Sequence, residues 1–105
     1  MGSRSRLEGL VEDIGGQVSF IVYPKPESRE TKLALEGGEL VFYTHEHDIT
    51  GRLIASLKGF ICRLLEVNSA NVAVESAGSG LRVRVKGVSV DYVLAKLEEA
   101  VMDER

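Results

Sequence analysis

The chain has almost none of the residues that cross-link a small fold or bind metal through sulfur. Of its 105 residues, one is cysteine (Cys62), none is tryptophan and two are proline. A single cysteine excludes an internal disulfide framework and a zinc site built from several cysteines. No apolar run approaches the roughly 20 residues that a membrane-spanning helix needs. The segment from Met1 to Arg6 lacks the apolar core of a signal peptide, so we expect a cytoplasmic protein.

Positive charge is not in excess either. The chain has 13 lysines and arginines against 16 aspartates and glutamates, a net charge of −3. This balance argues against a dedicated polyanion-binding protein but leaves room for a local basic patch. Side-chain amides are limited to Gln17, Asn68 and Asn71, a scarcity that is typical of proteins from thermophiles. The length fits one domain, and we expect residues 1–6 to be disordered and residues 7–105 to form that domain.

The apolar pattern predicts a sequence of short strands and helices. Four residues near the start have helical spacing and predict a short helix that ends at Gly15: Leu7, Leu10, Val11 and Ile14. Alternation and turn signals predict strands over residues 17–23, 32–35, 39–44, 72–75 and 81–87. Apolar stripes predict one helix over residues 51–67, capped by Thr50, and a last helix over residues 90–102.

Strands in antiparallel pairs and two helices with one apolar stripe each indicate an α+β fold. We predict two layers, a four-stranded mixed sheet with a ββαββα core and helices packed on one face. The apolar residues of two alternating strands would form that buried face: Val18, Phe20, Val22, Val83 and Val85.

Four segments, residues 22–28, 38–42, 49–54 and 72–87, together resemble the YggU-like family, a group of small proteins without an established function. The segment Val22-Tyr23-Pro24-Lys25-Pro26-Glu27-Ser28 is similar to its opening Val-x-Pro motif, and Gly38-Glu39-Leu40-Val41-Phe42 to its Gly-x-Leu-x-Val strand. Residues 49–54 fall where the family begins its long helix, and residues 72–87 match its final hairpin. Pro24, Gly51 and the basic character of Arg52 match residue by residue. The resemblance covers about residues 16–95 and implies the same ββαββα architecture, with no activity attached.

One strand alternates basic and apolar residues and is the main candidate for a binding surface. Arg82, Arg84 and Lys86 alternate with Leu81, Val83 and Val85, so helices on the apolar face would leave the three cations on the open face. Tyr23 and Tyr43 would add stacking platforms there, as in sheets that bind RNA, with Lys25 and Arg52 as secondary contacts. Our hypothesis is a non-catalytic module that binds RNA or a ribonucleoprotein.

Two alternatives to RNA binding remain open. The same face or the sheet edge would suit a protein–protein adaptor. The basic face could also be merely solubilising, with acidic neighbours such as Glu75 offsetting the cations. The second alternative is a metal-dependent enzyme, because His45 and His47 alternate and would point the same way. Only two histidines exist, whereas a catalytic zinc takes about three protein ligands. We therefore predict no metal, no cofactor and no catalytic residue.

Overall fold

The computed structural model describes residues 3–47 and 51–102, so Asp48 and the predicted cap Thr50 lie outside the described residues. The elements follow in this order: α1 (Ser3–Glu8), β1 (Val11–Ile14), β2 (Gln17–Lys25), β3 (Lys32–Glu36), β4 (Glu39–Tyr43), α2 (Gly51–Leu65), a short 3-10 helix (Ser69–Asn71), β5 (Val72–Ala77), β6 (Gly80–Lys86) and α3 (Val90–Met102). None of the described helices is long and apolar enough to cross a membrane.

The strands form one mixed sheet with β2 at its centre. The sheet order is β3-β4-β2-β6-β5, and β1 also pairs with β2. β2 runs antiparallel to β1 and β6 but parallel to β4. The α+β class and the mixed sheet predicted from the sequence are confirmed. The predicted four strands are six, partly because residues near the start of the chain also join the sheet.

The first apolar segment is a strand where the sequence predicted the end of a helix. The prediction of a helix over Leu7 to Ile14 is wrong, because α1 ends at Glu8 and β1 begins at Val11. Gly15 and Gly16 have φ values of 60° and 85°, the conformation that two-residue hairpin turns require. They therefore join β1 to β2 instead of stopping a helix. Residues 3–6, expected to be disordered, belong to α1, and Met1 and Gly2 lie outside the described residues.

The described α-helices α1, α2 and α3 pack on one face of the sheet. The predicted strand residues form the centre of the core, each at most 1% exposed: Val18, Phe20, Val22, Val83 and Val85. The buried stripe of α2 joins the same cluster through Leu53, Leu57, Ile61 and Leu65, and that of α3 through Val93, Leu94, Leu97 and Val101. α2 and α3 also contact each other. The predicted packing of both helices on this face is confirmed.

The central strand continues two residues beyond its predicted end. Proline has no N–H, so Pro24 was expected to stop β2, yet the strand runs on to Lys25. The Lys25 carbonyl accepts a hydrogen bond from Thr44 N at 3.1 Å, so Lys25 turns its polar groups toward β4. Pro24 therefore points the other way, where pairing with β6 has already ended at Val22. No ladder hydrogen bond is lost.

Candidate nucleic-acid interface

The sheet face opposite the helices, which we name the open face, collects most of the predicted site residues. Strand register places Lys86 beside Gln17, Arg84 beside Ser19 and Arg82 beside Ile21. These side chains alternate with the buried core residues of β2 and β6. Arg84 and Lys86 are exposed and Arg82 is half-buried. The alternation of β6 thus presents three cations on a face that the helices leave uncovered.

The three cations differ in how far neighbouring groups neutralise them. Arg84 forms an ion pair with Glu75 on β5, which is the offset expected from the sequence. Arg82 instead donates from Nη1 to the Ser19 hydroxyl at 3.3 Å, a neutral partner. Within the part of the chain that the structure describes, Lys86 contacts no carboxylate. Among the described residues, Arg82 and Lys86 therefore have no acidic partner. Arg84 is paired only at the surface, where salt screens the ion pair.

A shallow depression lies beside these arginines. It encloses about 470 Å³ and is lined by Ile14, Gln17, Ser19, Arg82 and Arg84. Ile14, at the end of β1, is 52% exposed, so an apolar side chain borders the cations. Sequence reasoning missed Ile14, because its spacing from Leu7 and Val11 placed it on a helix. The Gly15-Gly16 turn was the signal that would have placed it in a hairpin.

Tyr23 lies on the open face over the backbone of Gly80. A β-carbon built on Gly80 would lie 2.9 Å from Tyr23 Cε1 and 3.1 Å from Cδ1. Gly80 is buried, and no side chain at this position separates β6 from the ring. Glycine in a strand often marks such a close approach. The missing side chain allows the aromatic ring to lean toward β6.

Tyr43 and Lys25 form a separate cluster with their own internal contacts. The Lys25 ammonium lies 5.5 Å from the centroid of the Tyr43 ring, and that of Lys32 lies 5.1 Å away. The Tyr43 hydroxyl donates to Glu36, and Lys25 Nζ is 3.8 Å from the same carboxylate. Cation–π contacts thus already occupy this ring. Of the two predicted stacking platforms, Tyr23 is the one without lysines above it.

Arg52 is the predicted contact that the fold places on the helical side of the sheet. It is exposed in the first turn of α2, and α2 packs on the helical face of the sheet through Leu53 and Leu57. The candidate interface therefore comprises the open-face residues without Arg52.

A second depression, which we name the notch, opens at the other side of Tyr23. It encloses about 440 Å³. Its lining comes from β1, β2, β4 and the turns before β1 and β4: Gly9, Leu10, Glu12, Ile21, Tyr23, Gly37, Gly38, Glu39 and Leu40. Because non-adjacent segments meet there, no local sequence pattern predicted the notch.

The two histidines face different partners. His45 Nδ1 donates to the Ser28 carbonyl across 3.0 Å, whereas His47 Nδ1 lies 3.5 Å from a Glu27 carboxylate oxygen. Over residues 3–47 and 51–102, no three histidine, cysteine or acidic side chains gather as metal ligands would. Cys62 is half-buried in α2 and is a free thiol.

No protein-family model matches the chain.

Proposed function

We propose that this protein is a small non-catalytic module that binds single-stranded RNA, alone or within a ribonucleoprotein, through the open face. The observation that supports the proposal most directly is the shared position of Arg82, Lys86 and Tyr23. Register and burial put these three side chains on the sheet face opposite the described helices, and in residues 3–47 and 51–102 neither cation has an acidic partner. RNA-binding sheets use this combination, in which rings stack on bases and cations contact phosphates.

The spacing of the cations suits an extended strand of nucleic acid. Residues two apart in a strand are separated by roughly 6.6 Å, given a rise of about 3.3 Å per residue. That distance is on the scale of successive phosphates in an extended single strand, so each cation of β6 has its own phosphate within reach. Arg84 would exchange Glu75 for a phosphate, because its ion pair is about half-exposed on both sides, at 43% and 48%.

The open face also suits the adaptor hypothesis. The exposed Ile14 beside Arg82 would contact a protein partner. The salt titration distinguishes that partner from RNA. Kinship with the YggU-like family, proposed from residues 16–95, adds no activity because that family has no established function. The metal-dependent alternative gains no support from the described residues, since His45 and His47 bind different neighbours.

The test is a salt titration of RNA binding. Affinity for a single-stranded RNA pool is measured by fluorescence anisotropy between 50 and 300 mM salt, for the wild type and for Arg82→Gln/Arg84→Gln/Lys86→Gln. Each lost phosphate contact lowers the slope of log K against log salt by about 0.7. We expect the triple variant to bind more weakly, with a slope reduced by about 1.4 to 2.

A matched variant separates local contacts from overall charge. Arg6→Gln/Lys58→Gln/Arg63→Gln removes the same three charges from α1 and α2, on the helical side of the sheet, and should keep the wild-type slope. Absence of wild-type binding at 50 mM salt would refute RNA binding and leave the adaptor as the better hypothesis. Equal slopes for the wild type and the open-face variant would show that RNA binds elsewhere.

A further inference from the structure

We infer that the notch is a base-recognition subsite that selects guanine in the bound RNA. This inference deepens the proposed function and depends on it. It assigns a stacking role to Tyr23 and a hydrogen-bonding role to the carboxylates of Glu12 and Glu39. All three residues line the same depression.

The notch exists because two strands begin back to back along one edge of β2. β6 occupies the other edge, so β1 and β4 must share this one. β1 starts at Val11, opposite Phe20, and β4 starts at Leu40, opposite Val22. The two strands then run in opposite directions, which leaves Ile21 in a gap without a neighbour on that side. The gap opens the sheet surface beside the ring of Tyr23.

The ring of Tyr23 borders this gap and also approaches Gly80. Because Gly80 has no side chain, the Cδ1–Cε1 edge of the ring approaches the backbone of β6, and the ring also lines the notch. One side of the ring thus rests on the protein, and the notch is left open beside it. Its volume of about 440 Å³ is ample for one nucleobase, whose flat surface would stack on the ring. Stacking on an aromatic side chain is worth about 1–3 kcal/mol per base.

The two carboxylates in the notch are hydrogen-bond acceptors that have no donor among the described residues. Glu12 points to the open face, since it pairs with Ser19, and Glu39 does so at the start of β4, where it pairs with Glu36. Both are exposed, and neither contacts a donor or a cation among the residues that the structure describes. These negative charges repel phosphates, which are drawn to Arg82 and Lys86 instead. The group that enters the notch is therefore the base.

Guanine is the base whose edge matches a carboxylate best. Its Watson–Crick edge presents two adjacent N–H donors, N1–H and the exocyclic N2–H, and a carboxylate accepts both in a bidentate pair. Adenine and cytosine offer one exocyclic amino group beside a ring acceptor that would face the carboxylate. Uracil offers one N–H between two carbonyl oxygens, both of which the carboxylate repels. We therefore expect guanine first and uracil last.

The experiment varies one base and two side chains. Four ten-nucleotide RNAs, all uridine except for one central G, A, C or U, are titrated at 50 mM salt by fluorescence anisotropy. The wild type should bind the G oligomer at least about fivefold more tightly than the all-U oligomer, the lower end for one bidentate base contact. In Glu12→Gln/Glu39→Gln this ratio should fall close to one, while affinity for the all-U oligomer is kept or increased.

The control variant Glu98→Gln/Glu99→Gln removes the same charge from α3, on the helical side, and should keep the wild-type ratio. If none of the oligomers binds, the proposed function fails, and the guanine subsite fails with it. If all four bind equally, RNA binding stands and the guanine subsite is refuted. A preference for another base, or a guanine preference that survives Glu12→Gln/Glu39→Gln, also refutes the subsite.

Discussion

Substitution of Gly80 by alanine should destabilise the protein, although alanine usually stabilises a strand position relative to glycine. The φ of Gly80 lies outside the left-handed region, so the backbone itself accepts alanine. The obstacle is space. The new β-carbon would lie 2.9 Å from Ile21 Cγ2 and 2.9 Å from Tyr23 Cε1. Neither atom is the end of a long flexible chain, so the ring or the strand must shift.

The size of the effect follows from two opposing terms. Overpacking a well-packed site costs about 1–3 kcal/mol, whereas replacing glycine at a compatible backbone position gains about 0.4–1 kcal/mol through the unfolded chain. The free energy of unfolding of Gly80→Ala should therefore fall by about 1.3 kcal/mol at the midpoints of the two ranges, and by about 2.6 kcal/mol at most. For a domain of this size each kcal/mol lowers Tm by roughly 4–8 °C. The expected decrease in Tm is thus roughly 5–10 °C at the midpoint.

Urea and thermal denaturation, followed by circular dichroism, measure this change against an internal control. Gly59→Ala is the matched variant, because a β-carbon there meets only Arg63 Nη1, at an ordinary 3.5 Å. In the middle of α2 it should stabilise the protein by about 0.5–1 kcal/mol. Repeating Gly80→Ala in a Tyr23→Ala background should reduce its cost, with a coupling of at least about 0.5 kcal/mol. The reasoning is refuted if Gly80→Ala raises Tm, or if its cost is unchanged when the ring is removed.

Three further predictions concern the core, a helix contact and the histidines. Leu57→Ala and Leu94→Ala remove buried side chains and should each lower the free energy of unfolding in urea by about 2–5 kcal/mol; a loss below about 0.5 kcal/mol at both would contradict the packing. Tyr92→Phe removes the hydroxyl that donates to a main-chain carbonyl of α2 at 2.7 Å and should cost about 0.5–1.5 kcal/mol in thermal unfolding, so an unchanged Tm would argue against that bond. Protein purified without a histidine tag should contain no stoichiometric zinc by elemental analysis, and a tetrahedral site at His45 and His47 with Zn–N distances near 2.0–2.1 Å would overturn this.

From Lys32 onward, the sequence was sufficient to predict nearly every element. Each segment there has one clear period and a glycine or a polar turn at its ends, as in the β3–β4 hairpin, where Gly37 and Gly38 have φ values of 59° and 80°. The prediction for the N-terminal segment was wrong because Gly15-Gly16 is compatible with two different structures. The same pair that ends a helix also makes a hairpin turn, and only the pairing of β1 with β2 decides between them.

In the candidate interface, too, the local features were predictable from the sequence and the non-local ones were not. Alternation alone placed Arg82, Arg84 and Lys86 on one face, because side-chain direction in a strand is a local property. It could not show that Glu75 pairs with Arg84 while its register partner is Arg82. Nor could it locate the notch, which depends on two non-local strands sharing one edge of β2. Distances between segments far apart in the chain are a property of the assembled sheet.

The pairing of β2 with β6 also constrains how the chain folds while it is being synthesised. β1 to β4 are synthesised before Gly80–Lys86, so until β6 is added one edge of β2 has its N–H and C=O groups unpaired. An apolar strand edge of this kind is a template for pairing with other chains, and non-local strand pairs form slowly. A nascent chain that stalls before Gly80 therefore leaves one edge of the central strand β2 open to pairing with other chains. It is at this stage of synthesis that chaperones have the most to protect.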